Sequence, residues 1–162
     1  MAAIDLKKCT IKITDGSSTP NTITIKVGEG NLTYTIARTI EYILDRGTID
    51  AVREGDEVPC AISLDLVYEF FESDIAGGEA VTPAEALQQI GNAAAWVTTG
   101  SDICEPYAVD LTLTYDPDCS PTKTEVLVFS EFRYESLDFD IKAGTISCSG
   151  SCNEIRPTST RT

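Results

Sequence analysis

Residues 46–71 read RGTIDAVREGDEVPCAISLDLVYEFF. The second half alternates. Val58, Cys60, Ile62, Leu64, Leu66, Tyr68 and Phe70 fall on one face of an extended chain, and Pro59, Ala61, Ser63, Asp65, Val67, Glu69 and Phe71 on the other. A period of two with one apolar face predicts a strand with one side in a core and one toward water. Pro59 stands near the strand entrance, where a missing N–H costs little. The first half is charged: after Asp45 come Arg46, Asp50, Arg53, Glu54, Asp56 and Glu57, with Gly47 and Gly55 to let the backbone turn. It reads as a mixed-sign loop between two strands, longer than a plain hairpin requires.

The same alternation recurs on both sides. Residues 9–14 and 22–27 alternate around the turn material DGSSTPN, and residues 32–44 carry enough β-branched and aromatic side chains to favour strand over helix. Residues 107–115 place Tyr107, Val109, Leu111, Leu113 and Tyr115 on one face, and DPDCSPTK follows as a turn. In residues 124–141, Phe132 and Tyr134 share one parity and Leu137, Phe139 and Ile141 the other, which predicts a bulge or bend near Ser136. A short turn at 142–144 leads to a last strand over 145–152.

One helix is marked. Thr82 is the expected N-cap, Pro83 the first helical residue and Glu85 the third, a capping box, with Leu87, Ile90 and Ala94 as an apolar stripe and Gly91 weakening the end. Trp96 reads as a core or seam anchor. The expectation is a mainly β chain, a sandwich or barrel of about eight strands with one flanking α-helix. A single domain is expected over 1–152, followed by a mobile polar tail over 153–162 with little to bury.

Composition narrows function by exclusion. The 162 residues suit one domain, and 26 acidic against 12 basic residues leave a net charge of −14. Such a chain repels nucleic acid and anionic membranes. Charges at Asp5, Lys7 and Lys8 interrupt any leader-like apolar run, and the longest uncharged stretch, 86–101, is too polar to span a bilayer. Synthesis and first folding in the cytoplasm are therefore expected, with no membrane partner. Histidine is absent, which removes Ser-His-Asp, Cys-His and His-ligated metal chemistry. Gly28-Glu29-Gly30 lacks the lysine and helix of a phosphate loop. Carboxylate pairs such as Glu131 with Glu135, or Asp138 with Asp140, are no more than so many acids supply. An enzyme is not expected, nor a cofactor or metal. Of the six cysteines, Cys9, Cys60, Cys104, Cys119, Cys148 and Cys152, Cys60 and Cys148 lie in strand-like patterns and read as small buried hydrophobes. Free thiols are the expectation for a chain without an apolar leader.

The charged segment has a functional reading as an arm reaching a neighbouring copy, with Arg46 and Arg53 meeting acids of the partner and setting register more than affinity. The order EYILDRGTIDAVREGDEVPCAISLDLVYEFF, a helix, CEPYAVDLTLTYDPDC, then FRYESLDFDIKAGTISCSGSCN resembles the tail tube (major tail) proteins of long-tailed bacteriophages, from about residue 11 to residue 153. The most specific part is Asp-Arg-Gly followed by Val-Arg-x-Gly-Asp-x-x-Pro and the alternating strand. The resemblance implies a sandwich-like β domain with a flanking helix and self-assembly into hexameric rings stacked as a hollow tube. It implies a virion location, and partners among other tail proteins (tape measure, tail terminator, baseplate or tip). DNA would pass during ejection without specific binding. The segment bearing Arg46, Asp50, Arg53, Glu54, Asp56 and Glu57 would touch the adjacent ring. Acids on wet strand faces would line the bore: Asp65, Glu69, Asp110, Glu131 and Glu135, with repulsion reaching about 8 Å at physiological salt. The cysteine count departs from the family's needs. Alternatives are a tail completion or neck protein, a secretion-system tube protein of the same fold, or, from another class, an extracellular β-sandwich binding module held by disulfides.

Overall fold

Strand β10 (Glu125–Asp140), sixteen residues long, belongs to both halves of the structure. The computed structural model describes residues 9–25, 32–67, 71–72, 80–115 and 124–161. The other strands are β1 (Cys9–Thr14), β2 (Thr22–Ile25), β3 (Leu32–Thr35), β4 (Arg38–Asp45), β5 (Thr48–Glu57), β6 (Ala61–Val67), β7 (Phe71–Glu72), β8 (Ala80–Val81), β9 (Val109–Tyr115), β11 (Thr145–Ser151) and β12 (Thr158–Arg161). Eight of them form one sheet in the order β2-β1-β9-β10-β11-β6-β3, with β12 beside β10. The N-terminal half of β10 pairs with β9, from Glu125↔Tyr115 to Phe132↔Val109. Its C-terminal half pairs with β11, from Arg133↔Ser151 to Asp140↔Thr145. The register shifts between Phe129 and Phe132 and again between Tyr134 and Ser136. The second shift is the bulge expected near Ser136. Bulges bend a strand, so β10 carries the chain from one layer into the other.

The result is mainly β and sandwich-like. It is not a closed barrel: the sheet ends at β2 and β3 rather than joining them, so the barrel alternative falls away. Alternation explains the core. Ile11, Ile13, Ile23, Ile25, Leu111, Leu113, Leu127 and Phe129 come from one side, and Cys60, Ile62, Leu64, Leu66, Ile146 and Cys148 from the other, in one buried cluster. The rings of Tyr34 on β3 and Phe129 on β10 meet edge to face at 5.3 Å between centroids. Each large side chain so buried contributes about 1.5–3 kcal/mol.

The helix starts where the capping box places it. Thr82 has extended backbone and its hydroxyl accepts the Glu85 N–H at 3.2 Å, with Pro83 opening α1 (Pro83–Gln88). It ends sooner than its stripe predicts. Gln89 takes φ 56 as C-cap, Gly91 takes φ 56, and the Glu85 carboxylate accepts the Asn92 N–H at 2.8 Å. This reversal turns the chain back after six residues. Ile90 is left 50% exposed and Ala94 exposed, so of the expected stripe only Leu87 is buried. Trp96 is buried, as expected of an anchor, and its carbonyl accepts from Gln89 Nε2 at 2.6 Å.

The polar tail is corrected in part. Thr158–Arg161 pairs antiparallel with β10, from Glu125↔Arg161 to Val128↔Thr158, because that edge of β10 has unpaired backbone groups to offer. All four of its residues are exposed. The turn expected over 116–123, with Cys119, lies outside the described residues, as do Gly28, Gly30, Tyr68 and Phe70.

Candidate functional site

The charged segment is not a loop. It is β5, hydrogen-bonded to β4 along its length in a two-stranded ladder that, among the described residues, joins no other strand. The pair Asp45↔Thr48 closes it, leaving Arg46 and Gly47 as a two-residue turn with φ 53 and φ 80. Positive φ at both central residues is the turn whose twist matches paired strands. Gly47 adopts it without strain; Arg46 does not. Charges do not oppose this strand, because both of its faces are wet.

Two register irregularities decide what the hairpin presents. Ile43 opposes Ala51 but Leu44 opposes Ile49, so Asp50 is an extra residue. Ile40 opposes Glu54 and Arg38 opposes Glu57, so Gly55 and Asp56 together face Thr39. Opposed residues share a face. One face therefore carries Tyr42 with Val52 and Leu44 with Ile49 toward the tip, and Ile40 with Glu54 and Arg38 with Glu57 toward the root. The other carries Glu41 with Arg53, Ile43 with Ala51, and Asp45 with Thr48. Tyr42, Leu44, Ile49 and Val52 are 56–61% exposed. This is an apolar patch on an element over which none of the described residues packs.

The residues expected at the contact segment are all here, in different settings. Arg46 is at the tip, Asp50 and Asp56 in the irregular positions, and Glu54 and Glu57 in the ladder. Arg53 binds Glu41 across the hairpin, so it is already paired within its own chain. That pair is exposed, 68% and 46%, and contributes well under about 1 kcal/mol. A reading of the segment by its charges leaves out Tyr42, Leu44, Ile49 and Val52, the exposed apolar residues of one face. The alternation of Ile40, Tyr42 and Leu44 is visible in the sequence. The extra Asp50, which brings Ile49 and Val52 to one face though three residues apart, is not.

The acids expected on wet faces divide into two groups. Asp110 and Glu131 come together: the Asp110 carboxylate accepts the Glu131 N–H at 3.0 Å. Glu131 sits at φ 54 in the first bulge of β10, and its own carboxylate accepts from Asn153 Nδ2 at 2.7 Å. Asp110 thus satisfies a donor that the bulge takes out of the ladder. Asp65 and Glu135 stand on outward positions beside β11, taking hydroxyl hydrogen bonds from Ser147 at 3.0 Å and Ser151 at 3.3 Å. Glu69 lies outside the described residues.

At the hairpin root, β5 leads through Val58 and Pro59 to Cys60, whose N–H donates to the Glu154 carbonyl at 2.8 Å. Glu57, Val58, Pro59, Asn153, Glu154 and Ile155 line a cavity of about 200 Å³ there. Among the described residues, no group of three or more Cys, Asp or Glu converges to hold a metal ion. No described helix is long and apolar enough to cross a membrane.

No protein-family model matches the chain, and no curated protein shows significant similarity to it. The class is set by the fold: a mainly β, sandwich-like protein with an eight-stranded sheet, one short helix and a projecting hairpin.

Proposed function

We propose that this chain is a self-assembling structural subunit of a bacteriophage tail tube, forming hexameric rings that stack into a hollow conduit for DNA. The observation that carries the reading is the unpartnered apolar face of Tyr42, Leu44, Ile49 and Val52. A lone two-stranded hairpin is marginal in water, and an apolar patch on one marks an interaction site. The hairpin extends roughly 25 Å, long enough to lie across a neighbouring molecule.

A second copy of this chain fits that face best. Copies with a net charge of −14 repel one another unless positive charge is placed where they meet. Three of the six arginines, Arg38, Arg46 and Arg53, lie in the hairpin beside six acids; Arg53 is held by Glu41, which leaves Arg38 and Arg46 to meet acids of a neighbour. The edges of β2 and β3, unpaired among the described residues, are a second hazard that ring closure removes. For the bore, Asp65 and Glu135 are the better candidates among the described residues. Asp110 and Glu131 are occupied in holding the β10 bulge.

The test is electron microscopy of the purified chain at high concentration. Long hollow rods are expected. A chain that stays monomeric at every concentration overturns the reading.

A further inference from the structure

Cys60 and Cys152 are free thiols in this structure; we propose that under oxidising conditions they form a disulfide that clamps the root of the β4–β5 hairpin to the end of β11. The register of β6 and β11 runs Gly150↔Ile62 and Ser151↔Ala61, so the next opposed pair is Cys152 with Cys60. The backbone continues that pairing: the Cys152 N–H donates to the Cys60 carbonyl at 3.0 Å. Directly opposed antiparallel residues have Cα atoms about 4.5–5.5 Å apart, inside the range a disulfide spans. Both side chains point to the same inner face, which is also that of Ile62, Leu64, Ile146 and Cys148, and the two are 0% and 2% exposed. The Cys152 sulfur lies 3.7 Å from the Cys60 carbonyl oxygen. Cys148 opposes Leu64, about 13 Å further along the strand, and cannot compete.

Burial, then the neighbouring Cys152, push the Cys60 thiol up to about 11. The folded Cys60 thiol is therefore protonated near neutrality and reacts slowly. The bond forms while the chain folds. One thiolate attacks a sulfur of a small-molecule disulfide and expels a thiolate. The second cysteine then attacks the protein sulfur of the mixed disulfide and expels the other. The oxidant takes up two electrons and, with the two protons the cysteines give up, leaves as two thiols. The closed loop of roughly 90 residues is long enough for a large effect on the unfolded chain.

The full chain is refolded from denaturant in a buffer of oxidised and reduced glutathione, alkylated, and mapped by mass spectrometry without reduction. A linked Cys60–Cys152 peptide is expected, with a melting temperature about 5–15 °C above that of the reduced protein. Cys148→Val retains both the link and the shift; Cys152→Val loses both. Full alkylation of Cys60 and Cys152 in wild-type chain refolded with oxidant overturns the proposal, as does linkage of either to another cysteine. The wild-type comparison stands even if a variant fails to fold.

Discussion

The carboxylate of Asp15 accepts the main-chain N–H of Val97 at 3.2 Å, across 82 positions of sequence. It also accepts the Asn21 N–H and Asn21 Nδ2, each at 2.7 Å, and the Ser17 hydroxyl at 2.9 Å. Asp15 is 3% exposed, so one buried charge ties the β1–β2 turn to the segment that follows the helix. Asp15→Ala leaves several buried donors unsatisfied and is expected to cost about 2–3 kcal/mol in urea unfolding.

Asp15 also sets a pH dependence. Burial alone would raise its pKa, but the hydrogen bonds from Asn21, Ser17 and Val97 outweigh burial and lower it from 3.8. The native carboxyl stays ionised at a pH where the unfolded chain has begun to bind a proton. Its contribution is therefore present above the unfolded value and lost as pH falls through the folded one. Denaturant midpoints measured from pH 5 down to about pH 2 should fall more steeply for wild type than for Asp15→Asn. Parallel curves would show that the carboxylate has no such role.

A second close fit lies at Gly150 in β11. A Cβ there would overlap the Arg133 carbonyl oxygen of β10. Backbone cannot yield as a flexible side chain does, so Gly150→Ala forces the two strands apart just where β10 changes layers. A loss of more than about 2 kcal/mol is expected, read as a lower urea midpoint at unchanged slope.

The β10 bulge separates two effects of opposite sign. Glu131→Gly removes the strain of a non-glycine residue at φ 54 and is expected to be neutral or to stabilise by up to about 1 kcal/mol. Asp110→Ala strips the Glu131 N–H of its acceptor and is expected to cost about 1–3 kcal/mol. In thermal melts the midpoint of Asp110→Ala should fall and that of Glu131→Gly should not.

Local pattern makes most of the fold legible. Period two identifies β6 and β9 because each buries one face against a continuous core. Thr82, Pro83 and Glu85 mark the helix start because capping is a matter of adjacent residues. What is not legible depends on contacts between distant segments. The helix stops early because Glu85 reaches Asn92. The tail pairs with β10 because an edge is open there. The charged segment reads as a loop because amphipathic patterning assumes a core beside every strand, and the hairpin has none. Its apolar face is hidden further by Asp50, since one extra residue reverses the parity of all that follow it.

That reversal gives the sharpest test of the assembly reading. Leu44 and Ile49 share the apolar face, and Ile43 lies on the opposite one, 44% exposed. All three are exposed, so aspartate at any of them should alter monomer stability by only about 0.5 kcal/mol. In an interface an unpaired buried charge costs several kcal/mol. Leu44→Asp combined with Ile49→Asp should therefore abolish rods in electron micrographs and leave a monomer with unchanged circular dichroism. Ile43→Asp should still assemble. If both variants assemble like wild type, the apolar face is not the contact, and the hairpin must act through its charges or not at all.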